Sequence, residues 1–562
     1  MRTRRLHITM CAIALTFPFL QALCQETATK KESKDLKVEV YGRPTSLSNY
    51  VNMLQRGTDL SFNPTHWGDQ GNGTYINPVL NADFSDPDVI RVGDTYYMVA
   101  SDFHYMGMQV LSSQDLVNWQ WVSQIYSRFE TPGWETMENY AKGSWAPAIR
   151  YHDGKFFVYF CSPDDGLYMT TATDVKGPWS PLLLMHEGAG WEDPCPFWDE
   201  DGNAYLGHSV VGAGPIIIHR MSPDGRALLD EGVEVYRGTV AEGTKFHKKD
   251  GYYYLSIPEG GVARGNQVVL RATSIYGPYE KKLVLERGST PINGPHQGAI
   301  VDTPAGEWYF IHFQQTNVLG RVVHLQPMFW QDGWPVIGVD IDRNGVGEPV
   351  FSWSKPKGVD SAPSKPVVDD DFSSSTLSLA WQFNHNAVPG KWSLEENKGK
   401  LTIHAMSADN LKHARNTLTQ KLFGYRGTIT VELDVTRLKD GDKAGLGVMG
   451  TLLSSLGVKQ TDGKKQLYTE DLLGGESLTE PLDGKANKVY LRFTYDAQQI
   501  KFQYYYSTNG IDFKLFGDAF QNVYADWKGV RPALFCYNTT GKEGGMAQFD
   551  NFQYDFDEKL AN

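Results

Sequence analysis

Cysteine is scarce in this chain, with five among 562 residues. Cys11 and Cys24 lie close to the N-terminus, which leaves Cys161, Cys195 and Cys536 for the rest. Three thiols cannot all pair, so disulfides are excluded as the main staple of the fold. Beyond the N-terminus there is no long apolar run, which excludes a helical membrane span there. No cluster of lysine or arginine offsets 53 basic against 66 acidic residues, a net charge of −13. That balance argues against nucleic acid or an anionic membrane as partner. A strong helical period is missing from the C-terminal third as well.

The N-terminus reads as an export signal. Arg2, Arg4 and Arg5 precede the apolar stretch CAIALTFPFLQAL, which is too short for a stable span. Ala22 and Cys24 are small residues at the −3 and −1 places for cleavage after Cys24. The expected location is therefore periplasmic or extracellular. A lipoprotein acylated at Cys24 is the rival reading, which Leu23 fits poorly. Residues 25–73, opening with ETATKKESKDLK, read as a polar tether.

Aromatic residues are plentiful, at 13%, which suits a β-rich protein and stacking on sugars. Between residues 86 and 306 they recur in one unit: a lead residue, a short apolar stretch, a glycine turn and an aromatic strand. The copies are DPDVIRVGDTYYMVAS, WAPAIRYHDGKFFVYF, DPCPFWDEDGNAYLGHS, EGTKFHKKDGYYYLSI and HQGAIVDTPAGEWYFIHF. Their turn glycines (Gly93, Gly154, Gly202, Gly251, Gly306) are 61, 48, 49 and 55 residues apart, a spacing expected of four-stranded propeller blades. Gly-Asp or Asp-Gly between aromatic strands signals a tight hairpin. If each hairpin holds the innermost strand of its blade, five lead residues meet at one height in a funnel: Asp86, Trp145, Asp193, Glu242 and His296. Three carboxylates so gathered raise one another's proton affinity, a cost that points to chemistry rather than to a scaffold.

The expected organisation is all-β. Residues 1–24 are the signal, 74–352 a five-bladed propeller, 353–369 a Pro- and Ser-rich linker, and 370–562 a β-sandwich of the concanavalin-like kind. Residues Ile76 to Leu80 are expected to close the ring against the last blade. Strand-like runs such as GTITVELDVT, KVYLRFTYD and QIKFQYYYS carry the sandwich assignment through their period of two.

Seven ordered motifs add a family. NPVLNADFSDPDVIRVGDTYYM, SQDLVNW, GSWAPAIRYHDGKFF, EDPCPFWDEDGNAYL, AEGTKFHKKDGYYYL, GPHQGAIV and GRVVHLQPMFWQDGWPV resemble glycoside hydrolase family 43. The similarity lies in the branch of β-xylosidases and α-L-arabinofuranosidases, and extends through WQFNHNAVPGKWSL and DGDKAGLGVM to the tail. The resemblance implies an inverting glycosidase acting on plant oligosaccharides or polysaccharides. It makes Asp86 the general base, Glu242 the general acid, and Asp193 the carboxylate that orients the acid and keeps it protonated. It makes Arg321 a partner of sugar hydroxyls or a carboxylate. His296 becomes an axial residue beside a water-bound cation, usually calcium; no cofactor is otherwise required. One departure stands out, Glu192 directly before Asp193.

The residues agree with that assignment on their own chemistry. Inversion needs an acid and a base about 6.5–9.5 Å apart, with water between them. Asp86 and Glu242, on the first and fourth blades, are placed to span such a gap. Asp88, two residues along the same strand, reads as structural. Trp145 is expected to stack on a sugar ring, with Phe103 in a lesser role. A sandwich over the funnel mouth would make a closed pocket, which favours exo action on one terminal pentose, xylose or arabinofuranose. The alternative is a catalytically silent carbohydrate-binding propeller, which would not need to keep all three acids.

Overall fold

The computed structural model describes residues 67–292, 294–358, 361–471, 478–483 and 486–557. The export signal and most of the tether lie outside these residues, as does the side chain of His296. All the described residues belong to one compact unit.

Two-residue turns set the architecture. Asp153-Gly154 and Asp250-Gly251 take positive φ at both positions, which matches the right-handed twist of the strands they join. Such hairpins build five successive four-stranded antiparallel sheets, each a simple meander. Their first strands are Ser85–Val92, Trp145–His152, Trp191–Trp198, Lys245–Lys249 and His296–Asp302. Each first strand lies against that of the next sheet, and the fifth returns to the first, so the sheets form a ring. The unit predicted from the repeats is thus the two inner strands of a propeller blade.

Residues 77–80 pack on the last blade as expected, but without adding a strand to it. Each blade supplies its own four strands, so residues 76–80 do not complete a blade. Thr74–Ile76 pairs instead with Gly68–Asp69 and Ser352–Ser354 in a separate three-stranded sheet. Asn77, Val79 and Leu80 do lie against the fifth blade, Asn77 through side-chain bonds with Leu325 and Val79 and Leu80 through backbone bonds with Val323. The start of the predicted linker, Trp353 and Ser354, is therefore strand.

The C-terminal region forms two seven-membered sheet paths, one of which gains an eighth, parallel strand. In Lys488–Asp496 buried and solvent-side residues alternate along the whole strand, the pattern of a sandwich face. Among the described residues the helical structure is one short turn, Leu411–His413. No helix among them is long and apolar enough to cross a membrane. The remaining cysteines, Cys161, Cys195 and Cys536, are buried and unpaired.

The sandwich is docked rather than tethered. One apolar cluster runs through both parts, from Phe84, Trp119 and Leu319 in the propeller to Trp381, Leu422 and Phe423 in the sandwich. Beside it lies a buried charge cluster. Asp102 of the propeller accepts from Lys421 Nζ at 2.6 Å, and Asp83 lies 3.0 Å from Lys528 Nζ. Arg531 adds a third cation, 3.6 Å from Asp102. Burial opposes the Asp102 charge, but Lys421, Lys528 and Arg531 together hold it below the usual carboxylate range. Lys421 is drawn down to about 7 by burial, against the attraction of Asp102.

Candidate functional site

The first strand of every blade carries the same irregularity. Pairing with the second strand slips by one residue between Ser85 and Asp88, Trp145 and Ala148, Glu192 and Cys195, and His296 and Gly298. In the fourth blade the ladder starts with Lys245 opposite Ser256, while Glu242 N–H reaches Pro258 O at 3.3 Å, the same slip. A residue of left-handed backbone marks each slip: Asp86, Ala146, Asp193, Gly243 and Gln297. Bulges of this kind re-aim side chains, so two consecutive residues serve one surface instead of alternating across the sheet. The funnel thus has two tiers from each blade. Ser85, Trp145, Glu192, Glu242 and His296 precede the bulge; Asp86, Ala146, Asp193, Gly243 and Gln297 sit on it.

This corrects the single height read from the repeats. Asp86 and Asp193 hold the bulge position, whereas Trp145, Glu242 and His296 stand one residue earlier. Lead-to-glycine distances of 7 to 10 positions concealed that offset. Convergence survives it. One cavity of about 400 Å³ is lined by Asp86, Asp193, Glu242, Trp145, Phe103 and Arg321 together. Six of the seven candidate site residues therefore share a pocket. The seventh, His296, holds by its backbone the position that precedes the bulge.

Asp86 is surrounded by donors. Arg321 Nη1 donates to its Oδ1 at 2.6 Å, and the hydroxyls of Ser85 and Ser101 donate to its Oδ2 at 2.7 Å each. Ser101 also accepts from the bulge amide of Ala146, so neighbouring blades are locked at this level. Arg321 is held in turn by its own N–H, which donates to Asp83 at 2.9 Å. Asp88 faces the opposite way: fully buried, it bonds Arg150 Nη1 at 2.6 Å and Ile149 N–H at 2.8 Å. Its structural reading agrees with these bonds.

Asp193 accepts the Gly243 N–H at 2.6 Å, and so fixes the backbone immediately after Glu242. Burial pushes the Asp193 carboxyl well above its ordinary range, with Glu192, Glu242 and Asp86 adding to the rise. Lys245, which donates to Pro147 O at 3.2 Å, opposes it.

Aromatic walls complete the cavity. Phe103 and Trp145 meet edge to face at 5.8 Å, and Trp145 Nε1 is tied to Ala141 O at 2.9 Å. The third wall, Trp527, comes from the sandwich and was not found from the sequence. It lies 6.4 Å from Trp145 and 5.6 Å above it the Arg321 guanidinium covers its ring. Its loop is anchored on the fifth blade by Tyr524 N–H to Asn317 O and Val530 N–H to Val318 O, both 2.8 Å. No motif signals Trp527, because its place depends on docking two regions far apart in the chain. Glu192 and Gln297 were missed as pocket residues for a different reason: the bulge brings both members of each pair inward. Gln297 is buried, and among the described residues its amide Nε2 has no hydrogen-bond partner, which leaves it to a polar ligand.

Among the described residues no three His, Cys, Asp or Glu side chains are arranged to hold a metal ion. The axial carboxylates described here are already engaged, Asp86 with Arg321 and Asp88 with Arg150. The chemistry below uses no cation.

Comparison with known proteins gives two adjoining matches. Residues 75–335 match "Glycosyl hydrolases family 43", and residues 369–555 match "Beta xylosidase C-terminal Concanavalin A-like domain". The chain is 55% identical over 466 residues to a putative beta-xylosidase of Xylanibacter ruminicola, covering 83% of this chain and 86% of that one. It is 37% identical over 556 residues to a beta-xylosidase of Formosa agariphila, covering 88% and 93%. A solved bifunctional GH43-CE protein of Bacteroides eggerthii superposes with a TM-score of 0.77 at 31% identity. That alignment covers 86% of this chain but 64% of the bifunctional one.

Proposed function

From the premise that the chain belongs to glycosyl hydrolase family 43, we propose that it is an exo-acting, inverting β-xylosidase. The observation that carries this reading is the meeting of Asp86, Asp193 and Glu242, from three blades, in one aromatic-walled pocket. About 400 Å³ is at the small end of ligand sites and suits one sugar ring with its attacking water. Substrate is the non-reducing end of a xylose-containing oligosaccharide or polysaccharide. The relatives named beta-xylosidase favour xylose over arabinofuranose. Export, by the N-terminal segment, would place the enzyme where such glycans are met.

Each residue then has a task. Asp86, with its carboxylate fixed by Arg321, Ser85 and Ser101, takes a proton from water on one face of the sugar. Glu242 gives its proton to the glycosidic oxygen on the other face. Water adds to the anomeric carbon as the leaving-group bond breaks, so configuration inverts. Asp193 holds the acid's backbone in place through the Gly243 N–H. Trp145 and Trp527 pack on the apolar faces of the ring, and Gln297 and Arg321 donate to its hydroxyls. His296 is kept as a candidate neighbour of a water-bound calcium ion, outside the reaction itself.

The test is a panel of nitrophenyl glycosides together with xylo-oligosaccharides. Hydrolysis of the β-xyloside, with free xylose as the first product from every oligosaccharide, is expected. Faster hydrolysis of the α-L-arabinofuranoside would change the sugar, and internal cleavage would overturn exo action. A silent binding protein would turn over none of them.

Trp527→Ala probes the sandwich's share of the pocket. Loss of one aromatic wall is expected to raise KM about tenfold, in the range of an aromatic contact of about 1–1.5 kcal/mol. Unchanged steady-state constants would mean that the sandwich supports the propeller without touching substrate.

A further inference from the structure

Glu192 is a fourth carboxylate of the pocket, and the bulge register shows what it corresponds to. It occupies on the third blade the position that Glu242 occupies on the fourth. Its neighbour Asp193 corresponds to Asp86. Two pairs of equivalent acids therefore face the same cavity, although only three of the four have a part in the hydrolysis described above. Glu192 is 8% exposed, and its Oε2 accepts the Ala213 N–H at 3.0 Å and the Ser209 hydroxyl at 3.4 Å. Ala213 belongs to the loop whose Val211, Gly212 and Ala213 form one wall of the pocket. Ser209 pairs with Glu192 across the inner hairpin of the same blade.

We infer that Glu192 is a positioning residue for this hydrolysis: from the equivalent place one blade away its charge acts on the carboxylates of the pocket, Glu242 among them, while its bonds tie that charge to the 211–213 wall. The inference rests on Glu242 being the acid. Electrostatics point the same way. Burial raises Glu192 to about 7, with the Glu242 charge as the next cause, and Glu192 in turn helps to raise Asp193. Around this group stand the Cys161 thiol from the second blade, Asp86 from the first and Lys245 from the fourth. Arg321, from the fifth blade, is engaged by Asp86. Glu192 adds its charge to what raises Asp193, so removing it loosens the hold of that carboxyl on its proton.

The sign follows. Replacing Glu192 with a neutral isostere takes away a negative charge that favours protonation nearby. The remaining acids then lose their proton at lower pH. The alkaline limb of kcat/KM should move toward acid, and a purely structural role would lower activity without moving it.

Glu192→Gln should be compared with the wild type across pH, on xylobiose and on a 2,4-dinitrophenyl β-xyloside. Xylobiose needs its leaving oxygen protonated; dinitrophenolate does not. The limb for xylobiose is expected to shift acidward by about one unit, a tenfold loss on its upper slope. The dinitrophenyl substrate should show no such tenfold loss there. Coincident limbs for the two proteins on xylobiose would overturn the inference. A measurement on the unaltered protein keeps it testable if the variant does not fold. With ¹³C at glutamate carboxyls, the Glu192 resonance should titrate above the ordinary carboxylate range, and Glu242→Gln should lower it. A Glu192 resonance that titrates in the ordinary range would also overturn it. Wild type that hydrolyses neither substrate would sink the enzymatic reading itself, a result distinct from either.

Discussion

Glu242→Gln is expected to lower kcat/KM on xylobiose by about 10²–10⁴, the range for loss of a general acid. Glutamine fills the same space and keeps hydrogen-bonding capacity, so affinity for the sugar should change little. The loss should fall in kcat, since protonation of the leaving oxygen occurs only on the way to the transition state. Leaving-group dependence makes the effect specific. A dinitrophenyl xyloside departs without protonation and should recover most of the rate. An equal loss on both substrates would mean that Glu242 orients the sugar rather than protonating the bond. No loss on either would remove Glu242 from the chemistry.

Asp102→Asn is expected to cost about 3–5 kcal/mol of stability, although it lies outside the pocket. Three cations, Lys421, Lys528 and Arg531, share two anions at the junction of propeller and sandwich. Without Asp102, only Asp83 faces them. Breaking one side of a buried ion cluster costs more than never having built it, because the partner charges stay desolvated. The double variant Asp102→Asn, Lys421→Met should therefore regain much of the loss. Thermal unfolding checks both, with a fall of several degrees expected for the single change. A midpoint within about 1 °C of wild type would show that the cluster adds little. Activity should fall too, because Lys528 sits beside Trp527 and its ammonium donates to Ser101 O at 2.8 Å. Ser101 in turn bonds Asp86, so the interface and the base share one short path.

Local chemistry made the blades legible in the sequence. Glycine turns between aromatic strands, three of them Asp-Gly, favour tight hairpins, and five at similar spacing fold into a ring. Asp86, Asp193 and Glu242 could be picked out because repetition, rather than any single motif, placed them on the axis. Their relative height could not. A bulge adds a residue without a sequence marker, since Asp86, Ala146, Asp193, Gly243 and Gln297 share no side-chain chemistry. Only strand pairing reveals that Glu192, and not Asp193, matches Glu242. Trp527 was hidden for another reason: its loop is set by docking against the Asn317–Val318 turn, some 200 residues earlier. Ser352–Ser354 reads as the edge of a linker yet forms a strand with Thr74–Ile76, a pairing between segments distant in the chain.

The most direct measurement is ¹H NMR of the first sugar released from a β-xyloside, recorded before the anomers equilibrate. If carboxylates from separate blades work on opposite faces of one sugar, α-xylose must appear first. β-Xylose as the initial product would require a covalent intermediate on one of these acids, and the arrangement of base, water and acid described here could not stand.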